Sequence, residues 1–386
     1  MISINSKDEL SLYDLEGKWN DYIGVQKEVL RVLREKKWWK KVKSSDVQFY
    51  ALEDDYLMSH SLMRKLGPSG REEVFKDTME NTRLYMKVND ERYLVRSCAV
   101  KTILERAKVS GNALNKVEKT VFAQILNHCM DVATGNALMR FCEDKISAIH
   151  GGDASDYSIL EMPELFRMTV EYLQDTFTGY SFLGASYDHS IVTGIWSVDD
   201  DAMLDVYKKC MAENGMPNNH LQMGLRLTSS DTGLSGANLY PMMFVGKEMK
   251  SIPLGSPLKL EHKNRADLAK FADQLNLLYG QYNKALGGLK RLMQVYLNHP
   301  VNAMLGVMKK LGVSKKYAYL IAEDFKVRTG GLPCTVYEAY LAIAELIHIL
   351  QCEGVAGSKI VQMEETIARA IAIRWKDYDI AGEFKW

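Results

Sequence analysis

The clearest alternation of apolar and polar positions lies between residues 221 and 245. Apolar side chains recur at every second position from Leu221 to Leu227, which is the period of a half-buried strand. A polar run rich in Ser, Thr, Asp and Gly, 228–236, precedes a second apolar segment from Leu239 to Val245. The pattern therefore predicts two antiparallel strands joined by a polar loop.

Two earlier segments, 137–150 and 179–198, have the same hairpin signature. Helices are expected after each of them, at 163–175 and from Asp199 to about Asn214, where acidic residues lie in the first turn. Hairpins that are interleaved with helices are typical of an α+β fold rather than of parallel βαβ units.

The helical period of 3.6 residues dominates the chain after residue 264. Apolar residues at spacings of three and four predict a long amphipathic helix from Arg265 to about Leu297. Further helices are expected at 302–327, after a capping box at Thr335–Glu338, and at 359–375. We therefore expect an antiparallel sheet of β-hairpins packed against a long helix, followed by an all-helical C-terminal third.

Three regions are expected from these patterns: a mixed N-terminal region (1–97) with a basic, Trp-containing segment, an α+β core (98–299) and a helical region (300–386). A helical pattern at 98–108, a Gly-containing turn at 109–112 and a short helix at 113–117 precede a longer helix at 119–132, and 302–327 has a similar outline. Both resemble a helix-turn-helix, but paired helices are also common packing units.

The balance of charges excludes a strongly basic protein, because 49 Lys and Arg offset 49 Asp and Glu. Any nucleic-acid surface must then be a local patch.

The six cysteines include no Cys-x-x-Cys pair, which argues against a zinc knuckle or a disulfide framework and favours a reducing cytoplasm. The N-terminus lacks the apolar core of a signal peptide, and no window is long enough to cross a bilayer. We expect a cytoplasmic protein with no membrane partner and no cofactor.

The densest basic run, 31–43, places seven cationic residues around two tryptophans. Cations and indoles in this combination can hold phosphates and stack on bases. The alternative is a helix that ends here, with cations favoured by its C-terminal dipole and the Trp pair packed inward. The candidate nucleic-acid contacts are Lys36, Lys37, Trp38, Trp39, Lys40 and Lys41.

A second basic set lies near the third hairpin and the start of the long helix: Arg226, Lys259, His262, Lys263 and Arg265. Cations near a helix start oppose its dipole, and a bound anion would account for them, whereas ordinary surface charge is the alternative. Ser229 and Ser230 could add hydroxyl donors to a phosphate.

Polar loops follow strands of all three hairpins. If the hairpins share one sheet, the loops could gather enough His and carboxylate groups for a metal ion or an acid/base pair. Asp, Gly and Ser are also selected by turns for backbone reasons, which is the structural alternative. Phosphate-loop, nucleophile-elbow and HExxH motifs are absent from the sequence, so we assign no catalytic or metal-binding residue. The loop candidates are His150, Asp153, Asp156, Tyr157, Asp188, His189 and Asp231.

Three segments between Ala137 and Leu297 carry a family resemblance: IHGGDASDYSILEMPELF, the hairpin around TSSDTGLSGANLY, and the long helix behind it. Together they resemble the phage- and plasmid-associated family known as domain of unknown function 932. Many members continue from the hairpin with Val-Cys-Asn, whereas this chain reads Met242-Met-Phe-Val-Gly. The segments NALMRFCEDKISAIHGGD and RWKDYDIAGEF look like proteins of Firmicutes prophages and conjugative elements. The resemblance implies a mobile-element setting, near DNA, without an established activity.

The leading hypothesis is a mobile-element accessory protein that binds nucleic acid, in single-strand binding or annealing during replication or recombination. The order of hairpins followed by one long helix looks like the core of phage annealing proteins, many of which form rings or filaments, so a homo-oligomer is expected. A protein that engages a host defence factor is the alternative. A metal-dependent enzyme acting on nucleotides or DNA is a third hypothesis, disfavoured by the absent catalytic motifs.

Overall fold

The computed structural model describes residues 37–52, 75–142, 145–188, 191–215, 221–230, 232–246, 250–353, 355 and 357–386. The fold is mixed α+β with a mostly helical C-terminal region, which confirms the predicted class. The strands are β1 (Lys37–Lys43), β2 (Val47–Ala51), β3 (Leu84–Val88), β4 (Glu91–Val95), β5 (Asn136–Cys142), β6 (Lys145–Gly151), β7 (Gly179–Asp188), β8 (Ile191–Asp199), β9 (Leu221–Ser229), β10 (Ala237–Val245), β11 (Lys250–Pro253), β12 (Leu258–Leu260), β13 (Tyr296–Leu297) and β14 (Cys334–Thr335). The helices are α1 (Val100–Ala107), α2 (Lys119–Val132), α3 (Met162–Thr176), α4 (Asp201–Glu213), α5 (Leu268–Met293), α6 (Pro300–Leu311), α7 (Lys315–Thr329), α8 (Val336–Cys352) and α9 (Gly357–Ala368).

The first sheet has the strand order β1-β5-β6-β4-β3-β2 and is antiparallel except where β4 pairs with β6. One face is covered by α1 and α2, because alternate apolar strand residues point toward these helices. Phe49 and Met139 from the strands share a buried core with Phe122 and Leu126 from α2. This sheet runs across the predicted domain boundary at residue 97.

The second sheet has the order β11-β10-β9-β8-β7, with β12 also paired to β10. The long helix α5 packs on one face and buries the apolar stripe that its spacing predicted. It begins at Leu268 rather than Arg265 because Asn264 and Arg265 have positive φ angles of 54° and 56° and Asp267 caps the first turn, accepting from the Lys270 N–H at 2.9 Å.

The expectation that all three hairpins share one sheet is wrong. The hairpin β5–β6 belongs to the first sheet, whereas β7–β8 and β9–β10 adjoin each other in the second. The alternation of apolar and polar residues predicts which strands pair across a short turn. It does not predict which other strand pairs with the outer edge of the hairpin. Here β4, from a distant part of the chain, takes that position beside β6.

The basic segment does not end a helix within the described residues, because 37–43 forms β1 at the edge of the first sheet. Residues 31–36, including Lys36, lie outside the described part of the chain. Aromatic and β-branched residues favour a pleated, half-buried surface, and Val42 is buried in the core of this sheet.

The C-terminal helices confirm the predicted capping box. The Glu338 N–H donates to Thr335 Oγ1 at 3.2 Å, and the Thr335 N–H donates to Glu338 Oε2 at 2.8 Å. The start of α6 is capped from the tail, where the Asp379 carboxylate accepts from the backbone N–H groups of Asn298 (3.1 Å) and His299 (2.6 Å). In the part of the chain that the structure describes, every helix is too short or too polar to cross a bilayer.

Candidate functional site

The two sheets meet at residues 151–158, which we call the seam loop. On one side, the Gly152 N–H donates to the carbonyl of Asn136 in β5 at 2.9 Å. On the other side, the Arg265 N–H, from the connection between β12 and α5, donates to the Ala154 carbonyl at 3.0 Å. The seam loop is therefore bonded to both halves of the fold.

A stack of rings fills the seam. The rings of His150 and Tyr157 lie parallel with centroids 3.7 Å apart, and the ring of His262 lies parallel to Tyr157 at 5.1 Å. Trp39 of β1 packs against Tyr157 at 5.3 Å, and the Arg140 guanidinium lies 4.9 Å from the Trp39 ring. Trp39 thus packs inward, as the helix-end alternative expected of both tryptophans, but it does so from a strand, and the side chain of Trp38 is outside the described residues. The parallel rings of His150, Tyr157 and His262 stabilise the junction.

His150 is held neutral in this stack. Burial lowers its pKa to about 3, with a further contribution from the positive charge that His262 can carry. Gly233 lies against the ring, because a Cβ at this position would be 2.8 Å from His150 Cε1. The φ angle of Gly233 is also positive, +77°, so both the close contact and the backbone require glycine here.

Ser229 and His262 lie side by side at the seam, as a serine nucleophile and its base would. Ser229 Oγ lies 3.4 Å from His262 Nε2, and His262 Nδ1 lies 3.0 Å from the Ser158 carbonyl. A serine nucleophile must touch its substrate. Ser229 is only 1% exposed and His262 only 5%, so the pair is structural in this conformation.

Ser230 is fully buried and organises its own loop. Its Oγ accepts from the backbone N–H groups of Thr232 and Leu234, both at 3.1 Å. The prediction that Ser229 and Ser230 offer hydroxyls to a phosphate is therefore not supported. Turn chemistry selects the same residues that an anion site would use, and the local sequence does not distinguish the two roles.

Arg226, predicted as a surface cation, is buried on the face of the second sheet that α9 covers. It is 3% exposed, forms an ion pair with Glu364, and its guanidinium lies 4.4 Å from the Tyr240 ring. Burial lowers its pKa to about 10, so it remains charged at pH 7. Lys259 donates to Glu365 at 2.5 Å, and the same carboxylate accepts from the Tyr240 hydroxyl at 2.6 Å. Arg226 and Lys259 are thus bound to carboxylates of α9.

Two exposed basic segments that are far apart in the sequence border the seam loop, since Trp39 of β1 packs against Tyr157 and the Arg265 N–H donates to Ala154. Hydrogen bonds from the Ser155 hydroxyl and N–H lower the pKa of Asp153, and the charges of Arg265 and Lys41 lower it further. Both cations are therefore within electrostatic reach of one carboxylate. We call the exposed cations of this surface the seam cations: Lys41, Lys43, Lys263 and Arg265. Lys40 is exposed on the opposite face of β1, which it shares with the buried Val42.

The polar loops come together only in part. His150 and Tyr157 are stacked, and Asp153 and Asp156 are exposed on the seam loop. No group of three or more His, Cys, Asp or Glu side chains is placed to hold a metal ion among the described residues. The predicted residues outside the description are Lys36, His189 and Asp231, together with the side chains of Lys37, Trp38 and Asp188.

The contacts of neither helix-turn-helix outline point to a role in DNA binding. The short second helix of the first outline is a 3-10 turn at Asn112–Lys116, and α2 after it packs Phe122 and Leu126 on the first sheet. In the second outline, Arg328 of α7 is bound to Asp324 (2.7 Å) and Glu345 (2.9 Å). Both helix pairs are explained by packing within the fold.

Sequence reasoning missed the roles of Arg140 and Gly233. A lone Arg in a strand and a Gly in a polar turn carry no local signal of a ring stack that forms between distant segments.

Comparison of the chain with protein-family models, with curated proteins and with solved structures finds no match. The resemblance to domain of unknown function 932 therefore stays an expectation from the sequence.

Proposed function

We propose that this protein binds single-stranded nucleic acid through the seam cations, as an accessory protein of a mobile genetic element. The observation that carries the proposal is that exposed cations of β1 and of the 261–265 connection border one loop, which contacts Trp39 through Tyr157 and Arg265 through Ala154. A protein with equal numbers of acidic and basic residues needs such a local patch to attract a polyanion. The mobile-element setting rests on the family resemblance alone.

The shape of the surface favours a single strand over a duplex. Lys41 and Lys43 lie on the same face of β1, about 6.6 Å apart along the strand, since a strand rises about 3.3 Å per residue. A row of cations along a sheet edge, continued by Lys263 and Arg265, can follow one phosphate backbone. Duplex readers instead place a helix or a two-stranded ribbon in the major groove.

Binding should depend little on base sequence. Trp39 is already packed against Arg140 and Tyr157, so phosphate contacts rather than stacking on this indole would supply most of the affinity. Such sequence-independent binding suits single-strand protection or annealing in replication or recombination.

The test is fluorescence anisotropy of labelled single- and double-stranded oligonucleotides, titrated with the full chain at several salt concentrations. We expect saturable binding, tighter for the single strand and weakened by salt. In the double variant Lys41→Gln/Arg265→Gln, the slope of log affinity against log salt should fall by about 0.7 for each lost contact with a single strand.

The matched control is Lys316→Gln/Arg374→Gln, which removes the same charge from side chains that are 75% and 84% exposed in the helical region. It should bind as the unmodified chain does. Equal losses in both double variants would assign the binding to net charge rather than to the seam. No binding at ~50 mM salt, where phosphate contacts are strong, would contradict the proposal.

A further inference from the structure

The connection between β12 and α5 contains a tight turn at residues 263–266, which we call the seam turn. The Ala266 N–H donates to the Lys263 carbonyl at 3.1 Å, and the two central residues, Asn264 and Arg265, have φ angles of 54° and 56°. Two positive φ angles in a row are typical of a type I′ turn, whose preferred central residues are glycine, asparagine and aspartate. Asn264 fits this preference, whereas Arg265 does not.

The other non-glycine residues with positive φ in the described chain each have a local reason for this conformation. The turn between β3 and β4 uses Asn89 and Asp90, which adopt it more readily than most residues. Arg83 and Lys108 follow the C-terminal ends of helical segments, where the helix dipole favours a cation. Arg265 instead precedes the N-terminal end of α5, where the dipole disfavours a cation.

Hydrogen bonds from two sides hold the backbone of the seam turn. The Asn264 N–H donates to the Ser155 carbonyl at 3.2 Å, and the Arg265 N–H donates to the Ala154 carbonyl at 3.0 Å. Lys270 Nζ, from the first turn of α5, donates to the carbonyls of Asn264 at 3.2 Å and of Arg265 at 2.9 Å. All four backbone polar groups of the central residues are therefore bonded outside the turn, and such a surrounding can maintain an unfavourable backbone conformation.

These contacts use the backbone of Arg265 and leave its side chain exposed, as they do for Lys263. In the part of the chain that the structure describes, no ion pair or side-chain hydrogen bond engages the Arg265 guanidinium. Unfavourable backbone conformations that the surrounding structure maintains occur most often at ligand sites. The side chain that this turn presents is thus the feature that needs a function.

We propose that the seam turn is a preformed phosphate contact, in which the seam loop and Lys270 fix the backbone that presents the Arg265 guanidinium to a bound single strand. This inference rests on the proposed function, and it names Arg265 as the phosphate contact and Lys270 as its positioning residue. A guanidinium binds a phosphate through two parallel N–H···O bonds, and a fixed backbone lowers the entropy lost on binding. Arg265 lies where glycine would make a more stable turn, and the contribution of its side chain is to binding.

The first test compares Arg265→Gly with the matched control Asn264→Gly. Both variants place glycine at a central position of the turn, but only one removes a charge. Arg265→Gly should raise the melting temperature by about 1–3 °C, because glycine adopts a positive φ without steric cost. In the anisotropy titration it should bind the single strand about two- to five-fold more weakly, the size expected of one exposed charge contact. Its salt slope should fall by about 0.7, whereas Asn264→Gly should bind as the unmodified chain does.

Arg265→Asn is a second charge-free variant that tolerates a positive φ without the flexibility of glycine. It should bind as weakly as Arg265→Gly. A variant that keeps or gains stability and loses affinity separates a ligand contact from a structural role.

The role of Lys270 is tested by a double-mutant cycle. Lys270→Met removes the donor for both carbonyls and should weaken binding in the unmodified background, but it should have no further effect in the Arg265→Gly background. Lys270→Arg keeps a donor for these carbonyls and should restore the affinity. Equal losses from Lys270→Met in both backgrounds would make Lys270 a separate phosphate contact and contradict the positioning role.

The outcomes distinguish this inference from the proposed function. If the unmodified chain binds and both charge-free variants of Arg265 bind equally well, the inference fails while the proposed function stands on the remaining seam cations. If Asn264→Gly weakens binding as much as Arg265→Gly does, the conformation of the turn rather than the guanidinium is responsible, and the inference fails. If the unmodified chain does not bind at ~50 mM salt, the proposed function itself is wrong and the inference falls with it.

Discussion

The buried ion pair between Arg226 and Glu364 gives the most direct test of how α9 is held on the second sheet. Arg226→Met keeps an unbranched side chain of similar length but leaves Glu364 buried, 1% exposed, without its cation. Removing one partner of a buried pair costs about 3–5 kcal/mol, because the remaining charge is desolvated and unpaired. That is a large part of the 5–15 kcal/mol by which folded domains are typically stable.

The double variant Arg226→Met/Glu364→Leu should recover most of this loss. Replacing both charges with apolar groups removes the desolvation cost together with the attraction, and such replacements are often neutral or stabilising. The contact between the Arg226 guanidinium and the Tyr240 ring is lost in both variants, at a cost of about 0.5–2 kcal/mol.

Native-state hydrogen exchange at the amides of β9 and α9 is the suitable assay. It reports local opening free energies and does not require a chain of 386 residues to unfold in a single step. A loss below about 1 kcal/mol in the single variant, or no recovery in the double variant, would refute the reasoning. The double variant should also bind oligonucleotide as the unmodified chain does, whereas a loss of affinity would restore Arg226 to the binding surface.

Three further predictions concern the seam and the tail. The pKa of His150 is about 3 in the folded chain and about 6.5 when unfolded. The contribution of this histidine to stability is therefore complete above pH 6.5 and is lost as the pH falls toward 3, by up to about 1.4 kcal/mol per pH unit. In urea titrations, His150→Gln should flatten this dependence of stability on pH. Gly233→Ala should lower the melting temperature more than Gly246→Ala, because both glycines have φ near +75° but only Gly233 faces a ring. Asp379→Ala should cost about 0.5–2 kcal/mol of stability and speed hydrogen exchange at the start of α6, whose N–H groups lose their acceptor.

Local patterns predicted the elements of this fold well. The spacing of Phe271, Leu275 and Leu278 predicted the buried stripe of α5, and the Thr335–Glu338 capping box predicted the start of α8. Hairpin strands were recognisable for the same reason, since their period and turns are encoded within a few residues. Helix limits were less accurate where the backbone changes conformation, as at Arg265.

The assignment of strands to sheets and the burial of polar groups were not predictable in the same way. Arg226 has the sequence environment of a surface cation, and only the docking of α9, much later in the chain, buries it beside Glu364. Ser229 likewise belongs to a polar turn, and its burial depends on the seam loop and His262. These contacts join segments that are far apart in the sequence, so no local sequence pattern indicates them.

The central claim is that β1 and the 261–265 connection form one nucleic-acid surface across the seam. The most direct measurement is photo-cross-linking of a thiothymidine-containing single strand to the full chain, followed by mass spectrometry of the cross-linked peptides. The account predicts cross-links from the same bound strand to peptides containing Lys41 and to peptides containing Arg265, both lost in the double variant at these positions. Cross-links confined to the helical region, or unchanged in that variant, would contradict it.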